Sequence, residues 1–348
     1  MFDHPLGALG WKLFFEQQVD PDGRSPAIIV RVSSHHGSQV LVIGEAGEFR
    51  IPVQNALAAG SIAVGDWLLL DAKDLRATQR LGRRSVLYRK APGDDSRPQI
   101  IAANIDTVFI VTSCNEDFSL SRIERYLILA MEAGITPVVV VTKADLGHDL
   151  TELRLQARQL HEGLVVEFLD ARDPGAVAVL SRWCVPGQSI ALIGSSGVGK
   201  STLANSLGAD DLPTGAIREE DGKGRHTTMS RSLHLLPSGG VLVDNPGVRE
   251  VQLPGCEDSV ADVFDDVVRL MSECRFSNCR HEGDAGCAVR AAIAADELVE
   301  RRFDSFQKLQ VEQARHARSL AARRERERSM TRTQRSAVDK KRRGREPR

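Results

Sequence analysis

The run Gly194-Ser195-Ser196-Gly197-Val198-Gly199-Lys200-Ser201 constrains this chain more than any other stretch. It fits G-x-x-x-x-G-K-[ST], a phosphate-cradling loop that needs a buried strand before it and a helix after it. Both flanks qualify: residues 188–193 read as a buried strand, and residues 202–207 have helical spacing. Glycines let the backbone turn tightly and aim successive N–H groups at phosphate oxygens. The helix expected at about 201–207 adds its positive end. Gly194, Ser195, Ser196, Gly197, Val198, Gly199, Lys200, Ser201 and Thr202 are therefore the candidate phosphate contacts, with Lys200 on the β- and γ-phosphates and Ser201 on Mg²⁺.

A second motif, Thr142-Lys143-Ala144-Asp145, comes before the loop in the chain. Asp145 can accept two hydrogen bonds from guanine N1 and N2, which adenine cannot reciprocate. Lys143 can lay its stem along the base. In an ordinary guanine-nucleotide domain the phosphate loop comes first, so the inverted order predicts a circularly permuted G domain. The base motif normally begins with Asn. Thr142 offers one hydroxyl in place of an amide, which leaves part of the base cradle in question.

Downstream, Asp244-Asn245-Pro246-Gly247 follows an apolar run and fits D-x-x-G. There Asp244 holds Mg²⁺ through water and the Gly247 N–H approaches the γ-phosphate. Between the two motifs, Gly224-Arg225-His226-Thr227-Thr228 occupies the place of a γ-phosphate-sensing switch, with Thr227 on nucleotide and Thr228 on Mg²⁺. Val248 follows D-x-x-G, and its side chain cannot orient an attacking water, so intrinsic hydrolysis is expected to be slow. His226 is the candidate to position the water; packing or a phosphate contact is its alternative role, and Arg225 or an RNA phosphate could serve instead. Lys200, His226 and Thr228 form the expected catalytic set. Asp170-Ala171 sits where a second base loop would offer an N–H to guanine O6, or is a plain loop.

Six cysteines occur. Cys114, Cys184 and Cys256 are scattered, as reduced thiols are. Cys274-x4-Cys279-x-His281-x5-Cys287 supplies three thiolates and an imidazole. Cys₃His is a tetrahedral Zn²⁺ set with no open position, so the expected zinc is structural. Asn278, Gly283, Asp284 and Gly286 suit tight turns around an ion.

The rest of the chain arranges itself around these motifs. Residues 27–32, 39–43, 48–53 and 67–71 are short β-rich runs separated by turn signals, a spacing that predicts a small OB-type barrel. Exposed aromatics for base stacking are sparse, so the barrel reads equally as an RNA contact or as a structural or docking module. Arg80, Arg83, Arg84, Arg89 and Lys90 are an RNA-facing edge or a solvated strand face, and residues 91–98 a flexible joint. Apolar runs at 107–111, 137–141, 165–169, 189–193 and 240–244 alternate with helical patterns at 121–133 and 153–161, which predicts a doubly wound sheet with ligands at the strand C-terminal ends. Ser121 with Glu124 fits a capping box. Helices are expected at 257–271, 287–302 and 311–330, and residues 331–348 are too polar to bury a core.

The expected architecture is therefore multidomain. An N-terminal all-β OB-type barrel with its extension and linker occupies 1–98, and a circularly permuted α/β P-loop G domain 99–253. A helical zinc-binding domain follows at 254–310, and a basic tail at 311–348. The net charge of −1 conceals an asymmetry: residues 301–348 hold 17 Lys/Arg against 6 Asp/Glu, which leaves the first 300 residues at −12. A basic tail on an acidic body fits an anionic partner, nucleic acid above all. No apolar run nears the roughly 18 residues of a membrane span, and the N-terminus lacks a secretion-signal pattern. The expectation is a cytoplasmic protein with no membrane partner.

These motifs in combination resemble the ribosome small subunit-dependent GTPase A family, circularly permuted GTPases of bacterial 30S maturation. The resemblance is carried by Ile101-Ala102-Ala103-Asn104-Ile105-Asp106-Thr107-Val108, Asn115-Glu116-Asp117-Phe118, Ile123-Glu124-Arg125-Tyr126, the phosphate loop, residues 224–228, Asp244-Asn245-Pro246-Gly247-Val248-Arg249-Glu250 and the Cys/His spacing. It covers residues 26–302. It implies docking near the 30S decoding region on 16S rRNA. It also implies hydrolysis of GTP to GDP and phosphate, stimulated by the subunit, in late 30S maturation. One structural Zn²⁺ and a Mg²⁺ with GTP are the implied cofactors, and a monomer is the simplest assumption. The chain departs from the family pattern at Thr142, which bears on nucleotide affinity, and at Met229, where a third threonine often follows Thr228. A nucleotide-gated RNA-binding module with negligible hydrolysis is the alternative, and a P-loop ATPase or kinase a third reading.

Overall fold

The computed structural model describes residues 4–20, 27–90, 98–115, 117–147, 150–209, 232–244, 256–315 and 317–318. The chain divides into two compact units, Met1–Gln252 and Leu253–Arg348.

In the first unit, β1 (Ala27–His36), β2 (Gln39–Gly44), β3 (Gly47–Pro52), β4 (Trp67–Asp71) and β5 (Ala77–Arg80) pair antiparallel in the order β3-β2-β1-β4-β5. Strand alternation sorts their side chains. Val30, Val32, Val40, Val42, Leu68 and Leu70 share one core. Trp67 and Leu69, on the other face of β4, are covered by Leu6, Leu9, Trp11 and Phe15 from the segment before β1. Burial on both faces is why β4 reads as an unbroken apolar run, and each such side chain contributes roughly 1.5–3 kcal/mol. Among the described residues no β3–β5 pairing closes these strands on themselves. Next, β6 (Val86–Lys90) and β7 (Pro98–Ala103) form an antiparallel ribbon. Most of the joint expected between them, residues 91–97, lies outside the described residues.

The remaining strands are β8 (Thr107–Ser113), β9 (Thr136–Thr142), β10 (Val165–Phe168), β11 (Ser189–Ile193), β12 (Ser232–Leu235) and β13 (Val241–Asp244). They lie in the order β10-β9-β8-β11-β13-β12, parallel except for β12. The chain enters at β8 in the middle, builds outward to β10, then returns to the other flank of β8 with β11. That reversal makes the C-terminal ends of β8 and β11 the topological switch point, next to which ligands bind in such sheets. Phe109, Val111, Val138, Val140 and Leu192 pack on Leu203 and Ala204 of the Lys200–Ser206 helix. A single antiparallel pair, Ser34 with Ser232, joins both strand groups into one mixed sheet of 11 strands.

The helix expected at 121–133 spans Leu120–Glu132, and its cap is Ser119 rather than Ser121. Ser119 has extended backbone (φ −145°, ψ 109°), so its hydroxyl can accept from Arg122 N, whereas Ser121 already lies in the first turn. The helix expected at 153–161 runs over Leu150–Arg158.

In the second unit the helix expected at 257–271 is two, Glu257–Val263 and Asp265–Ser272, broken at Phe264. The Phe264 ring is fully buried against Phe306, and that burial outweighs an unbroken backbone. Arg302 grips Asp266 bidentately at 2.7 and 2.8 Å and the Val263 carbonyl at 2.8 Å. The pattern at 287–302 likewise divides: Ala288–Ala294 is helical, Asp296 turns the chain with φ 59°, and residues 300–315 are helical again. The tail from 319 onward lies outside the described residues. Among the described residues no helix is long and apolar enough to cross a membrane.

Candidate functional site

Strand β11 ends at Ile193 and delivers Gly194 to that switch point. Gly194, Gly197 and Gly199 take φ of 147°, 80° and 93°, values that L side chains rarely adopt. At Gly194 a Cβ would stand 2.1 Å from the Val111 carbonyl of β8, so only glycine passes. Val198 is buried in the core, while Ser196, Gly197 and Ser201 are exposed. Lys200 donates from Nζ to the carbonyls of Gly194 (3.0 Å) and Ser195, which holds the ammonium inside the turn of the loop. Tyr126 shares a side-chain hydrogen bond with Ser195, and burial pushes its phenol pKa up.

The base motif hangs from β9. Thr142 is fully buried, and its hydroxyl oxygen lies 2.6 Å from the Val198 carbonyl and 3.1 Å from the Thr112 carbonyl. One hydroxyl carries one proton, so the shorter contact is the donated bond. Lys143 turns the chain with φ 56° and leads into the short turn Ala144–Leu146, which carries Asp145. The loop after β10 is tied to the phosphate-loop helix by Ser206, whose hydroxyl donates to the Ala171 carbonyl at 2.6 Å. Thr142, Lys143, Asp145, Ala171, Gly199 and Thr202 line one cavity of about 190 Å³. Phosphate and base motifs, reordered along the chain, thus open onto the same space.

Two polar residues at this site escaped the sequence reading. Tyr126 stood in a matched run but with no role. Arg172 bridges Asp170 and Asp145 and holds the Asp170 carboxyl below the usual carboxylate range. Its only sequence signal is an Asp two positions before it.

Asp244 ends β13, which runs parallel beside β11 with Val243 opposite Ala191, so Asp244 reaches the same sheet edge as Gly194. His226, Thr227, Thr228, Gly247 and Val248 lie outside the described residues.

The base of β11 is fixed from three directions. Asp106 accepts from Ser189 N (2.9 Å), from Arg84 Nη1 (2.9 Å) and from Lys12 Nζ. The fully buried Arg31 of β1 donates to Ser189 Oγ (2.9 Å), to the Asn104 carbonyl (3.0 Å) and to the Leu9 carbonyl. Burial pulls its pKa down to about 10, so it stays cationic at neutral pH. One guanidinium therefore joins the N-terminal segment, β1 and the strand that carries the phosphate loop.

The second unit holds a separate cluster. The ligand atoms of Cys274, Cys279, His281 and Cys287 all lie within 4.8 Å of one another. Cys274 Sγ is 3.7 Å from His281 Nδ1 and 4.0 Å from Cys287 Sγ, and Nδ1 to Cys287 Sγ is 3.4 Å. Donors around a tetrahedral zinc with bonds of about 2.0–2.3 Å stand roughly 3.5–3.8 Å apart, so the donor set fits such an ion and the distances among Cys274, His281 and Cys287 lie close to its spacing. His281 takes φ 60°, and Arg290 Nε donates to its carbonyl at 2.6 Å. Cys287 also caps the Ala288–Ala294 helix, accepting from Arg290 N.

The RsgA GTPase family model matches residues 80–254. Small ribosomal subunit biogenesis GTPase RsgA 2 of Vibrio parahaemolyticus is 48% identical over 340 residues, covering 97% of this chain and 94% of the relative. Small ribosomal subunit biogenesis GTPase RsgA of Mesorhizobium japonicum is 43% identical over 308 residues, covering 87% and 88%. Among solved structures, YjeQ from Thermotoga maritima matches with TM-score 0.58 and 24% identity over 82% of this chain and 97% of that one. YloQ, described as a circularly permuted GTPase, matches with TM-score 0.57 and 22% identity over 84% and 97%. At those identities the two structures speak for the fold.

Proposed function

Because the chain belongs to the RsgA GTPase family, we propose that it hydrolyses GTP to GDP and phosphate in the biogenesis of the small ribosomal subunit. The supporting observation is the cavity onto which Asp145, Gly199 and Thr202 all open. In this reading Gly194–Thr202 cradle the phosphates and Lys200 reaches the β- and γ-oxygens. Asp145 accepts from guanine N1 and N2, Lys143 lies along the base, and Thr142 ties the base loop to the phosphate loop. His226, Thr227, Thr228 and Gly247 complete the site by their order in the chain, with His226 positioning the water that Val248 cannot.

The oxygen donors Ser201, Asp244 and Thr228 suit Mg²⁺, which when bound neutralises charge on the β- and γ-phosphate oxygens. The Cys₃His cluster suits one structural Zn²⁺. Strand order β3-β2-β1-β4-β5 supports an OB-type barrel within residues 1–98. The G domain then spans 99–253, the zinc domain 254–310 and the basic tail 311–348. Barrel and tail supply the contacts to 16S rRNA in a cytoplasmic monomer.

GTP turnover with and without purified 30S subunits, with ATP as competitor, tests this reading. Strong stimulation and preference for GTP are expected. Tight GTP binding without stimulated turnover would replace it with a nucleotide-gated RNA-binding module, and indifference between GTP and ATP would end it.

A further inference from the structure

If Asp145 reads the guanine edge, its carboxylate must be held at one angle, and Arg172 supplies that restraint. Nη2 of Arg172 lies 2.8 Å from Asp145 Oδ2. The guanidinium is itself anchored: Nε and Nη2 meet Asp170 Oδ1 and Oδ2 at 2.9 and 2.8 Å, and Arg172 N donates to Oδ1 at 2.9 Å. Asp170, Arg172 and Asp145 thus form a relay of anchored carboxylate, planar fork and base-reading carboxylate, and all three line the same cavity.

A carboxylate offers about four acceptor positions. Arg172 occupies one on Oδ2, which leaves both oxygens able to accept from a base, so the fork stays in place when a base enters. We propose that Arg172 is a positioning residue for base specificity, orienting the Asp145 carboxylate so that both oxygens meet the N1–H and N2–H groups of guanine. The inference rests on the guanine-nucleotide reading. The Arg172 side chain is 69% exposed, so in the free protein the pair is screened by water and weak. A base laid across Asp145 displaces that water, and the restraint then acts in the bound state. A lysine could match the charge but not the fork.

The test measures Kd for GDP, IDP and ADP by displacement of a fluorescent GDP analogue from the full-length protein, in wild type, Arg172→Ala, Arg172→Lys and Asp170→Asn. GDP and IDP differ only in the 2-amino group, so their ratio reports the second bond to Asp145. Arg172→Ala should weaken GDP about fivefold and IDP less, shrinking the ratio. Arg172→Lys should recover less than half of that loss, and Asp170→Asn should show it in milder form. A residue that merely braces the loop would weaken both nucleotides alike, so an unchanged ratio beside a normal wild-type guanine preference overturns the role of Arg172 and leaves the guanine reading standing. Tighter GDP binding by Arg172→Ala overturns it too, because Arg172 would then compete with the base. A wild-type protein with no preference for GDP over ADP overturns both.

Discussion

The hydroxyl of Thr142 donates to the carbonyl of Val198 across 2.6 Å, fastening the end of β9 to the phosphate loop 56 positions later in the chain. This bond crosses the order inversion: it links the motif that reads the base to the motif that holds the phosphates. An asparagine at this place would present two amide protons, and two carbonyls stand within reach, those of Val198 and Thr112. Threonine serves one of them at a time.

Thr142→Ala leaves the Val198 carbonyl without this donor at a buried site, a loss of about 1 kcal/mol. GDP affinity should fall about fivefold. Thr142→Asn should bind GDP at least as tightly as wild type, because its amide can serve both carbonyls. Titration with a fluorescent GDP analogue checks both variants. Equal affinity of wild type and Thr142→Ala would show that the loops need no such tie.

Cys184 sits in the core beneath the phosphate-loop sheet, and burial pushes its thiol up to about 12 from an ordinary 9.0. Below pH 9 the thiol is protonated whether the chain is folded or not, and stability is fully present. Above pH 9 the unfolded chain releases the proton and the folded chain keeps it, so stability falls until the pH passes about 12. Urea unfolding of wild type and Cys184→Ala should reveal a difference that shrinks by about 1.4 kcal/mol between pH 8 and pH 10. Parallel pH curves would contradict the buried thiol.

Cys287 has two tasks, a thiolate in the Cys₃His cluster and a cap for the Ala288–Ala294 helix. Serine can cap but is a poor zinc ligand; alanine can do neither. The wild-type protein should retain one zinc per chain after gel filtration, by elemental analysis, and both variants should retain none. Cys287→Ala should be less stable than Cys287→Ser by about 1 kcal/mol. Stoichiometric zinc in Cys287→Ser would refute the assignment of that ligand.

Those features that depend on local backbone chemistry were legible in the sequence. The phosphate loop announces itself because Gly194 and Gly199 are demanded by φ values and by a carbonyl 2.1 Å from where a Cβ would sit at Gly194. The parallel strands announce themselves because β8 is buried at every residue. The order of two motifs was enough to expect the permuted sheet. Features that depend on distant partners were hidden. Ser119 and Ser121 are equivalent as letters, and only the extended backbone at Ser119 selects the cap. The break at Phe264 follows from a pocket completed by Phe306, far along the chain. Trp11 and Phe15 cover Trp67, a contact between segments far apart in the chain that no local pattern shows. Arg172 meets Asp145 across 27 positions, a pairing that spacing cannot show.

The most direct test of a permuted chain reading guanine at Asp145 is the nucleotide preference of Asp145→Asn. Asparagine keeps one acceptor and gains an amide donor, which suits the C2 carbonyl of xanthine and no longer accepts two bonds from guanine. Competition binding should show the variant losing GDP by at least tenfold while gaining XDP, with both nucleotides lost in Lys200→Ala. Retained preference for GDP over XDP in Asp145→Asn would contradict the account at its centre.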